Sequence, residues 1–261
     1  MPHGPGTGRK TGRDHRRVER IGLGIARAFA REGAKVLITA RNAEAVNEAA
    51  AGIAADFGVE AHAVASDVAT AAGCQAVIDA AATMGGADIF VSNAGTGSNE
   101  TVAQAPDEKW QYYWDLHVMA AVRLSRGLAD QMQAKGGGAM LMNASICAVQ
   151  PLWYEPIYNT TKAALLMFAK SLSNEMIKRD IRVNTVNPGL IRTPDWEKTA
   201  RELAGDGWEG YLQEVADEHA DIKRFGTVAE LADFCVFLCS PRASYSVGSA
   251  YHVDGGMLKT T

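Results

Sequence analysis

From residue 34 onward, short apolar runs alternate with longer stretches of helical pattern, and this alternation restricts the fold more than any other feature of the chain. AKVLITA at 34–40 reads as a strand, placed after Glu32-Gly33, which suits the end of a preceding helix. The Ala-rich stretch 43–57 reads as a helix, 60–66 as the next strand, 74–84 as a helix and 87–91 as another strand. A long helix follows around residues 110–131, then a buried strand at 139–142, a helix carrying Tyr158 and Lys162, a strand at 181–186 and a helix at 229–238. Strands joined through helices pair in parallel, because a parallel crossover needs a dozen or more residues and a helix supplies them. The expected class is therefore α/β. With 261 residues and 47% hydrophobic content, such a chain can bury its core in a single domain.

Charge and composition exclude several functions. A formal net charge of -4 offers no general attraction to nucleic acid or an anionic membrane. No apolar run approaches the ~20 residues that span a bilayer, and the first residues lack the apolar core of a signal peptide. The expectation is a cytoplasmic protein with neither a membrane nor a nucleic acid as partner. Cys74, Cys147, Cys235 and Cys239 are scattered and suggest no disulfide framework. Cys235 and Cys239 fall on one helical face among Phe234, Val236, Phe237 and Leu238, a setting for core packing, so no metal site is expected.

Chemistry concentrates between Asn143 and Lys170. Tyr158 and Lys162 stand four residues apart, which stacks them on one face of a helix. A free phenol titrates near ~10, and an adjacent ammonium favours the phenolate, so Lys162 is expected to pull the Tyr158 value down towards neutrality. Ser145, at the carboxyl end of the strand, offers a hydroxyl to a carbonyl oxygen beside the tyrosine. The three together suit carbonyl reduction or alcohol oxidation. Taken alone, a Tyr and a Lys at helical spacing are more often surface decoration.

The surroundings make the difference. Ser145, Tyr158 and Lys162, followed by Ala163-Ala164, resemble the active-site segment of the short-chain dehydrogenase/reductase family. The resemblance implies a doubly wound parallel sheet of the Rossmann type, and hydride transfer between a nicotinamide and a carbonyl or secondary alcohol. It runs from Ile21 to the C-terminus. Ile21-Gly22, then Leu23-Gly24-Ile25-Ala26-Arg27, matches the end of the family's glycine-rich phosphate turn and the start of its helix.

Upstream of Ile21 the match stops. Arg16 and Arg20 stand where the family has glycines, and the segment 7–20 offers Val18 alone where a buried first strand belongs, so that strand is doubtful. Residues 1–20 form an anomalous basic segment, expected either to be disordered or to come from a shifted reading frame. The second hypothesis rests on codon degeneracy. Back-translating Asp14-His15-Arg16-Arg17-Val18-Glu19-Arg20 with allowed codons and reading one base later gives Ile-Thr-Gly-Gly-Ser-Ser-Gly, the missing motif. The coding DNA decides it: codons that do not permit that reading sink the hypothesis. A basic arm for nucleic acid fits poorly, since Asp14 and Glu19 interrupt it and no aromatic accompanies it.

The remaining motifs imply a cofactor track. Arg41, after the strand at 34–40, suits a ribose 2′-phosphate and so NADP over NAD, against the plainer reading of a solvated loop arginine. The resemblance places Asp67 and Val68 at the adenine, Asn93 and Gly95 along the cofactor, Tyr158 and Lys162 at the nicotinamide ribose, and Pro188, Gly189, Ile191 and Thr193 around the nicotinamide. His117 stands where the family has a relay asparagine. With an ordinary value near ~6.5 it would either link Lys162 to solvent through water or be a buried histidine bonded to a neighbouring backbone carbonyl. Residues 195–223 would form a mobile substrate flap, with Trp196, Trp208 and Tyr211 lining a pocket or packing the flap down. Residues 246–256 match the family's last strand, which helps build a homotetramer. A 3-oxoacyl thioester or small ketone is the default substrate class. The alternative is a catalytically silent relative, an oligomeric binding or scaffold protein whose phosphate loop is lost.

Overall fold

The computed structural model describes residues 19–97 and 99–259. Arg16, the doubtful first strand and most of the segment 14–20 lie outside those residues, so only Glu19 and Arg20 of it are placed.

The elements run α1 (Ile21–Arg31), β1 (Val36–Ala40), α2 (Ala43–Phe57), β2 (Ala61–Ala65), α3 (Ala71–Thr83), β3 (Ile89–Ser92), α4 (Asp107–Trp114), α5 (Ala120–Ala134), β4 (Gly138–Asn143) and α6 (Pro156–Met176), followed by β5 (Ile181–Pro188), α7 (Pro194–Ala204), α8 (Trp208–His219), α9 (Val228–Cys239) and β6 (Ala250–Val253). Alternation became parallel pairing throughout. Among the described residues, β1 pairs with β2, and β3-β4-β5-β6 form a second sheet, all in parallel. This is the α/β architecture of the Rossmann type.

β4 shows how the sheet is filled. From Ala139 to Asn143 every residue is buried, as befits a strand covered on both faces. Met140 and Met142 point into a core with Leu124 and Leu128 of α5 and Leu165 of α6. Ala139 and Leu141 point the other way, to Ile25 and Ala28 of α1 and Leu231 and Cys235 of α9. The period of two divides the layers.

α1 holds the two sheets in one body. Its Ile25 and Ala28 join the β4 and β5 core, while Ala26 and Ala30 join a separate cluster with Val36 of β1 and Ile53 of α2. It also lies hard against α9: a Cβ at Gly24 would come within 2.1 Å of the Val228 Cγ1. Alanine there would force the helices apart.

Differences from the sequence reading are local. α3 starts at Ala71, ahead of the expected 74, because the Thr70 hydroxyl accepts the Gly73 N–H at 3.0 Å and caps the helix. The helix expected around 110–131 is interrupted at Asp115–Met119 by a π-helical turn. The last strand shortens to Ala250–Val253, and β5 extends to Pro188, where it pairs with Val253.

Candidate functional site

The site begins where β4 stops. Ser145 continues in extended backbone (φ -172°), and its hydroxyl accepts the Cys147 N–H at 3.1 Å, opening a short 3-10 turn. α6 then starts at Pro156, a residue suited to a first helical turn because its missing N–H would have no partner there. That start phases Tyr158 and Lys162 onto the face towards β4. The Lys162 ammonium donates to the Asn143 carbonyl at 2.9 Å and stands 5.4 Å from the centre of the Tyr158 ring.

Burial sets the electrostatics. Lys162 is only 4% exposed, and desolvation brings its value down to about 8. The Tyr158 phenol moves the opposite way from the sequence expectation: burial raises it, the neighbouring Cys147 adds to this, and a hydrogen bond with Ser145 works against it. In the structure the phenol is thus neutral near pH 7, the form that gives a proton rather than takes one. The Ser145 bond does not overcome the loss of water.

His117 sits in the π-helical turn, an irregularity often found at functional sites. The Thr96 N–H donates to its Nε2 at 3.2 Å, which leaves Nδ1 carrying the hydrogen, 2.8 Å from the Thr161 hydroxyl. Thr161 in turn donates to the Ile157 carbonyl at 2.9 Å. The imidazole packs edge to face between Tyr113, at 5.2 Å, and Tyr158, at 5.7 Å. Burial and the Lys162 charge push its value down to about 2. Of the two expectations for His117, the buried histidine bonded to backbone is the one this geometry resembles: the ring is 1% exposed, and burial and the neighbouring ammonium both disfavour its charged form. Its bonds go to a backbone N–H and a hydroxyl, not to a carbonyl.

The glycines and asparagines of the expected cofactor track meet this cluster directly. A Cβ on Gly95 would lie 3.2 Å from the His117 Nε2 and 3.5 Å from the Lys162 Nζ. Asn93 accepts from the Asn143 amide at 2.6 Å, and a Cβ on Gly22 would be 2.6 Å from the Asn93 Nδ2. Ile21 and Gly22 at the start of α1 therefore stand at the end of β3. Pro188 ends β5, and the Gly189 N–H donates to the Val253 carbonyl at 3.1 Å. Ile191 forms a bridge with Gly226. Thr193 caps α7, its hydroxyl accepting the Trp196 N–H at 3.4 Å.

Arg41 and Asp67 stand farther out, just past β1 and β2. Arg41 is exposed and donates to the Tyr112 hydroxyl at 3.2 Å. Asp67 accepts the Ala69 N–H at 3.1 Å. The Val68 side chain is in the core, and its carbonyl accepts the Cys74 thiol at 3.1 Å. Arg20, immediately before α1, is exposed and pairs with Asp195 of α7 at 3.4 Å.

These residues share the carboxyl ends of the strands, where open α/β sheets bind ligands. A dinucleotide fits what is there. Lys162 has three ammonium donors and one bond among the described residues, which leaves two for ribose hydroxyls. The Asn143 Oδ1 and both amide atoms of Asn187 are buried without a partner among those residues. Gly95 leaves its side of Lys162 open.

A cavity of about 250 Å³ lies between the sheet ends and the helices α7 and α8. Leu152, Tyr154, Leu190 and Met257 line one side, and Trp196, Tyr211 and residues of α8 the other. Trp208, expected either to line a pocket or to pack the flap down, packs against the Arg201 guanidinium at 3.8 Å and the Arg192 guanidinium at 5.4 Å. The sequence reading missed Tyr113, Thr96 and Thr161. Tyr113 precedes His117 by one helical turn and Thr161 adjoins Lys162, so helical spacing held a signal for those two. Thr96 reaches His117 only through the loop after β3.

Comparison with known proteins agrees with this geometry. The sequence model of the enoyl-(acyl carrier protein) reductase family matches residues 18–258. The chain is 33% identical to dehydrogenase/reductase SDR family member 4 of Bos taurus, over 91% of this chain and 83% of that protein. It is 31% identical to the 3-oxoacyl-acyl-carrier-protein reductase of Escherichia coli, over 91% and 92% of the two chains. Among solved structures, the L-sorbose reductase of Gluconobacter frateurii, complexed with NADPH and L-sorbose, is similar with a TM-score of 0.91 and 63% identity over 94% of each chain.

Proposed function

The chain belongs to the short-chain dehydrogenase/reductase family, and we propose from that premise that it is an NADP(H)-dependent oxidoreductase interconverting a keto sugar, or a similar small polyhydroxy ketone, with its secondary alcohol. One observation carries the substrate class: 63% identity, over 94% of both chains, to an L-sorbose reductase. The 3-oxoacyl thioester class rests on a relative at 31% and weighs less. Arg41 beyond β1 supports NADP over NAD, by offering a cation to a 2′-phosphate.

NADPH, when bound, supplies the hydride. The chain's own residues prepare the oxygen that receives a proton. The Ser145 hydroxyl, held in place through the Cys147 N–H, bonds the carbonyl oxygen. Tyr158, neutral near pH 7 because of its burial, gives that oxygen its proton. Lys162 orients a ribose hydroxyl with its two further donors and brings positive charge to the phenol as it deprotonates. His117, neutral and fixed at both nitrogens, keeps the Tyr158 ring in place. Ile21, Gly22, Asn93, Gly95, Asp67, Val68, Pro188, Gly189, Ile191 and Thr193 form the cofactor track. Residues 195–223 serve as the substrate flap, and the enzyme works as a cytoplasmic homotetramer, for which light scattering is the test.

A second reading is kept by one observation. Arg20 stands directly before α1, where the family places a glycine against the cofactor phosphates, and a relative unable to bind cofactor would be catalytically silent. Titrating the protein with NADPH and, in parallel, NADH separates the two. Micromolar binding with NADPH preferred, followed by L-sorbose-dependent NADPH oxidation, supports the reductase. No binding of either nucleotide to protein folded by circular dichroism supports the silent relative.

A further inference from the structure

α4 reaches both ends of the cofactor track. Successive residues of a helix point roughly 100° apart, so its neighbouring tyrosines face different ways. Tyr113 turns into the buried cluster, where its hydroxyl donates to the Gly97 carbonyl at 2.6 Å and its ring packs against His117. Tyr112 turns out of that cluster, and its hydroxyl accepts the Arg41 Nη1–H at 3.2 Å. Arg41 follows β1 and Tyr112 lies on α4, so this bond crosses the outer end of the track. The helix is held for that reach: Gln111 donates to the Asp115 carboxylate at 2.9 Å, and Arg123 donates to Asp115 at 3.2 Å and to the Ala69 carbonyl, beyond β2, at 3.0 Å. Among the described residues no carboxylate pairs with Arg41, whose one side-chain partner there is the Tyr112 hydroxyl. A hydroxyl, unlike a carboxylate, leaves the arginine charge uncompensated and available to an anion.

We propose that Tyr112 is a positioning residue for nucleotide choice: its hydroxyl holds the Arg41 guanidinium ready for a ribose 2′-phosphate, and so favours NADP over NAD. The inference rests on the NADP reading of this same track and adds the residue that aims its arginine. A guanidinium carries five N–H donors in a planar fork. Tyr112 takes one, which leaves four for phosphate oxygens, enough for a bidentate pair. A free arginine loses much rotamer freedom when a ligand fixes it. With the fork already held, part of that loss is met before the nucleotide arrives, and preorganisation of this kind raises affinity without adding a contact to the ligand.

The test measures binding to the full chain. NADPH and NADH are titrated by fluorescence, and adenosine 2′,5′-bisphosphate and 5′-AMP by calorimetry, in wild type, Tyr112→Phe, Arg41→Ala and the double variant. Loss of the hydroxyl is expected to weaken NADPH and the bisphosphate about fivefold, the scale of one hydrogen bond, and to leave NADH and 5′-AMP unaltered. In the Arg41→Ala background the same change should have no effect, because the hydroxyl then has no guanidinium to hold. Phenylalanine keeps the ring, so a loss that came from packing would strike both members of each pair equally, and that result overturns the inference. Unchanged NADPH affinity in Tyr112→Phe overturns it, and so does tighter binding, which would make Tyr112 a competitor of the phosphate. The NADP reading fails by a different sign, a wild type with no preference within either pair, and the inference falls with it. A preference that Arg41→Ala removes and Tyr112→Phe keeps in full overturns the inference alone.

Discussion

Two regions at the carboxyl ends of the strands are built in contrasting ways: the segment from β4 to α6, and the approach to α1. Between Asn143 and Lys162 the polar groups lock one another. Lys162 bonds the Asn143 carbonyl, Ser145 accepts the Cys147 N–H, and Thr161 fixes the His117 ring beside Tyr158. Before α1, the last placed residue is an exposed arginine whose partner is Asp195, on another element, and α1 begins with no side-chain cap. The first region is held by contacts between elements as well as by spacing along a strand and a helix. The second needs a particular stretch of backbone, and this chain spells that stretch differently.

The sharpest test of the first region is Tyr158→Phe, expected to lower kcat/KM for L-sorbose by at least ~10²-fold, as for lost acid-base catalysis, with NADPH affinity little changed. Full turnover by that variant would sink the proton-donor assignment. The second region is tested by replacing residues 14–20 with Ile-Thr-Gly-Gly-Ser-Ser-Gly. Two recovered backbone hydrogen bonds at about 1 kcal/mol each predict roughly thirty-fold tighter NADPH binding, measured by fluorescence titration. Equal affinity in both proteins would mean that the two regions do not differ in fitness for the cofactor. Arg41→Ala probes the outer end of the track. It should weaken NADPH about tenfold, the scale of a charge-assisted bond, and leave NADH unaltered; a parallel loss for both nucleotides would remove Arg41 from any role at a 2′-phosphate.

The smallest effect concerns stability. His117 takes no proton in the folded chain above about pH 2, because it is buried beside Lys162, whereas an unfolded histidine takes one below ~6.5. Across that window the unfolded state holds more protons, so stability falls as pH drops through it, by roughly 1 kcal/mol per pH unit from this residue. Urea unfolding between pH 6.5 and pH 5, buffer values chosen around that ordinary histidine range, should show a shallower slope in His117→Asn. The same slope in both proteins would mean that the folded ring is protonated.

Much of this was legible before any coordinates. Strand and helix alternation is local, so β1, α2, β2 and α9 fell within a residue or two of their expected ends, and Tyr158 and Lys162 shared a face because four residues make about one helical turn. Bounds set by single side chains were harder. The cap at Thr70 moved α3 forward, and the π-helical turn at Asp115–Met119 left no mark in the periodicity.

The residues themselves determined an α/β chain with parallel strands, the order of its motifs, the placing of Tyr158 and Lys162 on one helical face after Ser145, and the break in pattern before Ile21. Tertiary structure alone decided the protonation of those two side chains. How far the Tyr158 phenol moves depends on how much water is lost, which no sequence spacing records; burial raises it. The tertiary structure likewise buried His117 and brought Thr96 and Thr161 to its two nitrogens. Spacing along the chain sets which side chains can meet on one element, whereas desolvation and contacts between distant segments exist only once the chain has closed around them.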